Sequence, residues 1–242
     1  MTDSLVIIPT YNEKENIEKI IRKVFSLSVS FDILIVDDGS PDGTADIVKR
    51  LQQEFSDRLF MEERVGKLGL GTAYLHGFRW ALKRTYDYIF EIDADFSHNP
   101  EDLIRLREAC LTGGADMAIG SRYVQGVNVV NWPMSRVLMS YFASVYVRMI
   151  MRIDIQDATA GFACFSRKVL EKIPLDEIRF VGYAFQIEMK FKTLKYGFKV
   201  VEVPIIFTDR TEGESKMSTK IFREAFFGVI QLKLESLFKK YH

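Results

Sequence analysis

Two carboxylates stand two positions apart in "EIDADFSHNP", where Asp93 and Asp95 follow an apolar run. On an extended segment, residues i and i+2 point to the same side, so the two acids repel each other unless a cation or a proton accompanies them. Oxygen ligands favour Mg²⁺ or Mn²⁺, which bind one or two carboxylates and complete their shell with water and substrate phosphates. The same segment is also typical of the start of a helix with Pro100 in its first turn. The pattern leaves both a metal site and a helix start open.

Two other enzyme classes use comparable signals. The paired acids of glycosidases flank the scissile bond from opposite sides at ~5 to 9.5 Å, which neighbours on one strand do not do easily. A dinucleotide-binding dehydrogenase needs a G-x-G-x-x-G turn after a strand. The nearest segment, "GLGTAY", has Tyr74 in place of the third glycine and no strong strand directly before it. The residues therefore favour a metal-assisted reaction.

Four short apolar runs predict the buried strands that position these acids, and amphipathic segments separate them. The runs cover 5–9, 32–38, 88–93 and 115–121. This rhythm predicts an α/β fold with a mostly parallel sheet flanked by helices, in which ligands bind beyond the carboxyl ends of the strands. Because "PTYNE", "DDGSPDGT" and "DADFSH" follow three of the runs, we expect them to meet at one edge of the sheet. From about Val127 the rhythm is lost.

The composition limits the partners and the compartment. Lys plus Arg and Asp plus Glu number 33 each among the 242 residues, so no overall field favours a nucleic acid. Cys110 and Cys164 stand in apolar contexts without C-x-x-C spacing, which indicates buried thiols in a reducing compartment. The first residues lack the basic and apolar regions of a signal peptide, and we expect a cytoplasmic protein.

Six segments together carry a resemblance to a known family. They are "VIIPTYNEKENI", "IVDDGSPDGTADIV", "EIDADFSHNPE", "GSRYVQG", "NWPMSR" and "DRTEGESKMS". From about residue 5 to 220, the chain resembles the polyprenol (dolichol) phosphate mannosyltransferases, which belong to family 2 of the inverting glycosyltransferases and have the GT-A fold. The first three segments mark the wider superfamily, and the last three are typical of enzymes with a polyprenyl phosphate acceptor.

The resemblance implies a site for a nucleotide sugar, GDP-mannose in the type reaction, over the strand ends. The residues implied to contact it are Pro9, Tyr11, Glu13, Val36, Asp38, Asp93, Ala94 and Asp95. Asp93, Asp95 and Ser97 are implied to hold Mg²⁺ or Mn²⁺, with Asp95 as a direct ligand. Some relatives have Gln at the position of Ser97, and a shorter serine hydroxyl calls for an intervening water. Two structural alternatives stay open: Pro9 ends a strand, and "DDGSPDGT" is a turn before a capped helix.

The resemblance also implies a basic cradle for the acceptor phosphate. Its members are Arg122, Arg136, Arg210 and Lys216, and catalysis is assigned to Asp95, Arg122, Arg210 and Lys216. A lipid monophosphate, with a second pKa of ~6, is largely dianionic at pH 7 and needs no general base, so the cations have to position it behind the anomeric carbon. The alternative for these cations is that they are solvated surface residues. For two neighbouring residues the structural alternatives are that His98 packs or caps and that Glu188 forms an ion pair.

Two segments predict how the chain reaches a lipid acceptor. The stretch 132–153 contains no acid and has only 11 uncharged positions between Arg136 and Arg148, too few to span a bilayer. It predicts either an interfacial helix or a helix buried on the sheet. The tail, 216–242, predicts a basic amphipathic helix for a membrane or partner surface. We therefore expect a catalytic domain over 1–215 followed by this helix. The protein would lie on the cytoplasmic face of a membrane, attached directly or through a separate membrane subunit.

The expected function is the metal-dependent transfer of mannose from GDP-mannose to a polyprenyl monophosphate. Two alternatives remain at this point. One is glucosyl transfer from UDP-glucose to the same kind of acceptor, and the other is a non-catalytic scaffold that binds a nucleotide or a lipid. The intact "DAD", "GSR" and "DRTEGESK" segments favour an enzyme.

Overall fold

The computed structural model describes residues 2–209, 219–239 and 241. The strands are β1 (Ser4–Thr10), β2 (Asp32–Asp37), β3 (Leu59–Glu63), β4 (Tyr88–Glu91), β5 (Met117–Ser121), β6 (Val129–Val130), β7 (Ala163–Ser166), β8 (Val200–Pro204) and β9 (Phe207–Thr208). The α-helices are α1 (Ile17–Phe25), α2 (Thr44–Glu54), α3 (Leu70–Leu82), α4 (Asp102–Leu111), α5 (Met134–Met151), α6 (Arg167–Lys172), α7 (Tyr183–Lys195) and α8 (Thr219–Phe238).

A seven-stranded sheet in the order β3-β2-β1-β4-β7-β5-β8 forms the centre of the fold. β1 pairs in parallel with β2 and β4, β2 with β3, and β5 with β8. The predicted α/β class with a mostly parallel sheet flanked by helices is therefore confirmed. β7 lies antiparallel between β4 and β5, and it comes from the part of the chain where the βα rhythm is lost. The predicted run 88–93 ends two residues after β4, and the predicted run 115–121 begins two residues before β5.

The alternation of side chains along β1 explains why its sequence is a continuous apolar run. Leu5 and Ile7 belong to an apolar cluster on one face of the sheet, with α3 and α7. Val6 and Ile8 belong to a second cluster on the other face, with α1 and α4. All four are fully buried, and each burial contributes ~1.5–3 kcal/mol. Since both faces are covered, the sheet is a rigid base for the loops at its carboxyl edge.

Helices α5 and α8 correspond to the two segments that were expected at a lipid surface. Val147 and Met151 of α5 pack with Phe191 of α7 and with Val229 and Leu232 of α8. On their other sides, the two helices expose large apolar residues: Met134, Leu138, Met139, Tyr141, Phe142 and Met149 of α5, and Phe226, Phe227, Leu234, Leu237 and Phe238 of α8. Each helix is thus half packed on the domain and half open.

Among the residues that the structure describes, no helix is both long enough and apolar enough to cross a membrane. The expected boundary between 215 and 216 falls in 210–218, outside the described residues, and the division into two domains stays a prediction.

Candidate active site

The carboxyl ends of β1 and β2 bring together residues that were expected at a nucleoside. Pro9 pairs with Val36 across the parallel ladder, and the Asp38 amide donates a hydrogen bond of 3.0 Å to the last carbonyl of β1. The ammonium of Lys67 lies 5.0 Å from the ring centroid of Tyr11. The two strand ends therefore form one continuous surface with an aromatic ring on it.

Glu13 lies in the loop that connects β1 to α1, and this loop is tied to the start of α2. The Glu13 amide donates to Thr44 Oγ1 at 3.0 Å, and the Asn12 amide donates to Ser40 Oγ at 3.0 Å. Thr44 is the first residue of α2, so "DDGSPDGT" does lead into a helix. The segment therefore ties the loop after β1 to the start of α2.

Asp38 is held by residues that the sequence reading did not single out. Arg64 Nε donates to Asp38 Oδ1 at 2.7 Å, and the Leu68 amide donates to Oδ2 at 3.1 Å. Gly39 has a φ of +68°, and a Cβ at this position would lie 3.2 Å from the backbone nitrogen of Gly66. The close approach of the loops after β2 and β3 therefore requires a glycine at position 39. The glycines around the cations in "RVGKLGLG" were the available signal for this loop.

The acidic side of the site follows β4. Asp93, Asp95 and Ser97 line one pocket, and Ala94 between the acids is buried. Asp95 Oδ1 accepts the Ser97 amide at 3.0 Å. Phe96 has a φ of +58°, a conformation that turns the chain sharply at this point. Both acids therefore reach the same cavity, although Asp95 lies in a turn after β4 and not on the extended segment for which the i, i+2 spacing predicted this.

This set of oxygen ligands fits a hard divalent cation. Within 2–209, 219–239 and 241, no three or more His, Cys, Asp or Glu side chains are grouped so that they could hold a metal ion. A cation at Asp93 and Asp95 would therefore take its other ligands from phosphate and water, which is usual for Mg²⁺. Burial raises the pKa of Glu91, and the charge of Asp93 adds to that shift. A cation here would offset this concentration of negative charge. The assignment of the metal ligands stays a prediction.

Arg122, just after β5, is held in a buried ion pair. Its Nε and Nη2 donate to the two carboxylate oxygens of Asp157 at 2.7 and 2.6 Å. The guanidinium carbon lies between 5.2 and 5.6 Å from the ring centroids of Tyr123, Trp132 and Phe207. Burial alone would raise the pKa of Asp157, but Arg122 outweighs it and the pKa is lowered, so the pair is charged at pH 7. Because Arg122 is buried, it is not a solvated surface cation.

Arg136, in the first turn of α5, forms a more exposed pair in the same pocket. Its Nη1 donates to both carboxylate oxygens of Asp209 at 2.9 and 3.0 Å, and its guanidinium lies 4.2 Å from the ring centroid of Trp132. The other two expected cations, Arg210 and Lys216, lie outside the described residues.

A single pocket of about 370 Å³ joins the acids and the arginines. Its charged part contains Asp93, Asp95, Arg122 and Arg136. Its apolar wall, between α5 and α8, consists of Met139, Ala143, Tyr146, Val147, Phe226 and Val229. A molecule with an anionic head and an apolar chain would match both parts.

A buried polar cluster reaches the pocket through Gln186 of α7. Gln186 Nε2 donates to Glu91 Oε2 at 3.0 Å, and Lys190 Nζ donates to the Ala160 carbonyl at 2.6 Å and to the Gln186 carbonyl at 3.3 Å. Burial raises the pKa of Glu91 and lowers that of Lys190. None of these residues was expected at the site from the sequence. The signal was a glutamine and a lysine four residues apart on one helix face in "FQIEMKF".

Two neighbours of the motifs have structural partners. Glu188 pairs with Lys192 at 2.8 Å and accepts the Arg179 amide at 3.0 Å, so the ion-pair interpretation of Glu188 is confirmed. His98 packs between Phe162 and Phe207, with ring centroids 5.1 Å away in both cases. Burial lowers the pKa of His98, and its ring is neutral at pH 7.

Fold and pocket together define an α/β protein with an acidic and a basic group of residues at the carboxyl edge of a mostly parallel sheet. Residues 5–174 match the model of the family described as "Glycosyl transferase family 2", and the chain belongs to that family. It is 49% identical over 228 residues to the polyprenol monophosphomannose synthase of Mycolicibacterium smegmatis, covering 94% of this chain and 86% of that protein. It is 45% identical over 225 residues to the undecaprenyl-phosphate mannosyltransferase of Micrococcus luteus, covering 93% and 91%.

Solved structures share the fold at low sequence identity. Glucosyl-3-phosphoglycerate synthase from Mycobacterium tuberculosis, in complex with Mn²⁺, UDP and glucosyl-3-phosphoglycerate, matches with a TM-score of 0.66 and 18% identity over 96% of this chain and 78% of that one. A mannosyltransferase from Pyrobaculum calidifontis, in complex with GDP-Man and Mn²⁺, matches with a TM-score of 0.58 and 15% identity over 97% and 74%. The GT-A fold expected from the motifs is confirmed, while the roles of individual site residues stay predictions.

Proposed function

We propose that this protein transfers mannose from GDP-mannose to the phosphate of a polyprenyl phosphate, with Mg²⁺ or Mn²⁺ bound at Asp93 and Asp95. The observation that carries the proposal is the single pocket with a charged part at the strand ends and an apolar wall between α5 and α8. The names of the two relatives support a mannosyl product and a polyprenyl phosphate acceptor.

The donor side is built from the ends of β1, β2 and β4. We assign the nucleoside to the surface of Tyr11 and Asp38, where Arg64 and the Leu68 amide fix the Asp38 carboxylate. The diphosphate then extends to the acids that follow β4. A divalent cation bound there supplies charge neutralisation to the departing pyrophosphate. Asp95, which is tied to the Ser97 amide, presents its carboxylate from a fixed loop.

The acceptor side is built from the two arginines. A phosphate oxygen of the lipid attacks the anomeric carbon, the bond from that carbon to GDP breaks, and no proton has to be removed. Asp157 holds the Arg122 guanidinium in one orientation before the acceptor arrives, which is the preorganisation that stabilises charge in a transition state. Arg136, beside Trp132, lies where the apolar wall begins and would meet the same phosphate from the side of the lipid chain.

The membrane side of the proposal is supported by the open faces of α5 and α8. Phe142, Phe227 and Phe238 are exposed on helices whose other faces are packed on the domain. Aromatic and aliphatic side chains on a half-packed helix suit the boundary between head groups and acyl chains. We therefore propose peripheral attachment to the cytoplasmic face of a membrane through these two helices, which a separate membrane subunit would reinforce.

The test is a product assay with purified protein. Polyprenyl phosphate and Mn²⁺ or Mg²⁺ are offered with GDP-mannose or UDP-glucose, and the lipid fraction is analysed by mass spectrometry. The proposal expects a mannosyl phospholipid from GDP-mannose, none when the metal is chelated, and none from the matching polyprenol without phosphate. A glucosyl product from UDP-glucose alone would overturn the donor assignment. No product from either donor, with no stabilisation by either nucleotide, would indicate a non-catalytic scaffold.

A further inference from the structure

Gln186 is a pocket residue to which the proposed function gives no role. It lies on α7 and is 1% exposed, yet it lines the cavity that also contains Asp93 and Arg122. A glutamine amide carries two hydrogens and two acceptor lone pairs, which is the equipment of a residue that recognises a polar ligand in a mostly apolar pocket.

The orientation of the Gln186 amide is set by two buried titratable groups, Glu91 and Lys190. Nε2 donates to Glu91 Oε2 at 3.0 Å, and Lys190 Nζ lies 3.5 Å from Gln186 Oε1 on the opposite side. An ammonium only donates hydrogen bonds, so a reversed amide would turn its NH₂ group toward Lys190 and lose that contact. The second hydrogen of Nε2 has no acceptor within the described part of the chain.

This cluster is a poor way to stabilise a fold. Glu91 and Lys190 are both fully buried, and desolvating polar and charged groups costs so much that apolar replacements of similar volume are often neutral or stabilising. The cluster instead fixes the orientation of the Gln186 amide at the pocket wall. Its arrangement is therefore better explained by a ligand at Gln186 than by stability.

Space for such a ligand lies in front of the amide. Gly161 lines the same pocket, and a Cβ built on it would lie 4.0 Å from Gln186 Nε2 and within 4 Å of no other atom outside its chain neighbours. A glycine at this position leaves the Gln186 nitrogen accessible from the cavity, whereas a side chain would cover it.

We propose that Gln186 binds the sugar of the donor, donating the second hydrogen of Nε2 to a hydroxyl of the hexosyl group. The inference rests on the proposed function, because a leaving diphosphate at Asp93 and an attacking phosphate at Arg122 place the transferred sugar between them. Gln186 and Gly161 line the same pocket as Asp93 and Arg122. A site built to hydrogen-bond a substrate hydroxyl discriminates strongly against groups that lack it, so Gln186 is a residue that determines specificity for the sugar.

The test compares two ligands that differ only in the sugar. Dissociation constants of GDP and of GDP-mannose are measured by calorimetry in the presence of Mn²⁺, for the wild-type protein and for Gln186→Met, which keeps the volume and removes the amide. We expect affinity for GDP-mannose to fall about 10-fold, the equivalent of one good hydrogen bond, while affinity for GDP is unchanged. Equal losses for both ligands, or no loss for either, would overturn the inference.

A second variant and a control keep the test decisive if Gln186→Met fails to fold. Gly161→Ala creates no close contact and covers the amide. It should therefore lower the affinity for GDP-mannose and leave the affinity for GDP unchanged. Wild-type affinities for both ligands would overturn the inference. Thr193→Val removes a fully buried hydroxyl from the same helix away from the pocket and should change neither affinity. If the wild-type protein bound neither GDP nor GDP-mannose with Mn²⁺, the proposed function itself would fail.

Discussion

The buried pair of Arg122 and Asp157 permits a prediction with a defined magnitude. The change is Asp157→Asn, which keeps the shape of the side chain and removes its charge. In the wild-type protein, both carboxylate oxygens of Asp157 accept from the Arg122 side chain, and one of them also accepts the Arg122 amide at 3.0 Å. The asparagine NH₂ group replaces one acceptor by a donor, so it opposes a guanidinium N–H and leaves the buried cation without its counter-charge.

Removing one partner of a buried ion pair costs ~3–5 kcal/mol, and the remaining asparagine oxygen favours the lower figure of ~3 kcal/mol. For a chain of this size, 1 kcal/mol shifts the melting temperature by ~2–4 °C, so we expect a decrease of ~6–12 °C. A matched control is Asp176→Asn. Asp176 also pairs with an arginine, Arg79, at 2.7 Å, but its side chain is 92% exposed. We expect that change to stay within ~0.5 kcal/mol of the wild type.

The assay is urea unfolding followed by tryptophan fluorescence, repeated from pH 7 to pH 3. Arg122 lowers the pKa of Asp157 against the opposing effect of burial. A carboxyl whose pKa is lowered on folding adds stability above the ordinary aspartate pKa of ~3.9 and loses it as the pH falls through the folded-state value. The difference between wild type and Asp157→Asn should therefore be complete at pH 7 and shrink below about pH 4. Equal stability at pH 7, or a difference independent of pH, would refute the reasoning.

Three further predictions concern the pocket and the helices. Asp95→Ala should abolish the Mn²⁺-dependent thermal stabilisation by GDP, measured against the ligand-free melting temperature of the same variant, because it removes a carboxylate from the pocket wall; retained stabilisation would exclude Asp95 as a ligand. Arg136→Ala should raise KM for polyprenyl phosphate ~10-fold without lowering the affinity for GDP, since it removes a charge-assisted contact to the acceptor phosphate. Equal losses for polyprenyl phosphate and GDP would count against the basic cradle. Phe227→Ser with Phe238→Ser should reduce liposome co-sedimentation and leave unfolding unchanged, as both side chains are exposed; full binding would place the contact elsewhere.

The strand ends could be predicted from the sequence because the signals are local. "LVIIP", "DILIVDD" and "YIFEID" are apolar runs followed by polar segments, and the rule that parallel strands present ligand sites at their carboxyl ends connects them. Asp93 and Asp95 share a pocket as expected from the sequence, although β4 ends at Glu91 and Asp95 lies in a turn. Each of these inferences needs only a few consecutive residues and the direction of one strand.

The supporting residues could not be predicted because their partners are distant in the chain. Gln186 and Glu91 are 95 positions apart and meet only because α7 packs beside β4. Arg122 and Asp157 are 35 positions apart, on either side of α5. The antiparallel strand β7 was missed because it has only four residues and lies in the part of the chain where the βα rhythm is lost.

The most direct measurement is a crystal structure of the protein with GDP and Mn²⁺. We expect manganese density between the Asp95 carboxylate and the pyrophosphate of GDP. The guanine and ribose should lie over the ends of β1 and β2, and the open side of the diphosphate should face Arg122. Manganese or nucleotide bound away from Asp93 and Asp95, on a different side of the molecule from the pocket between α5 and α8, would contradict the proposed site.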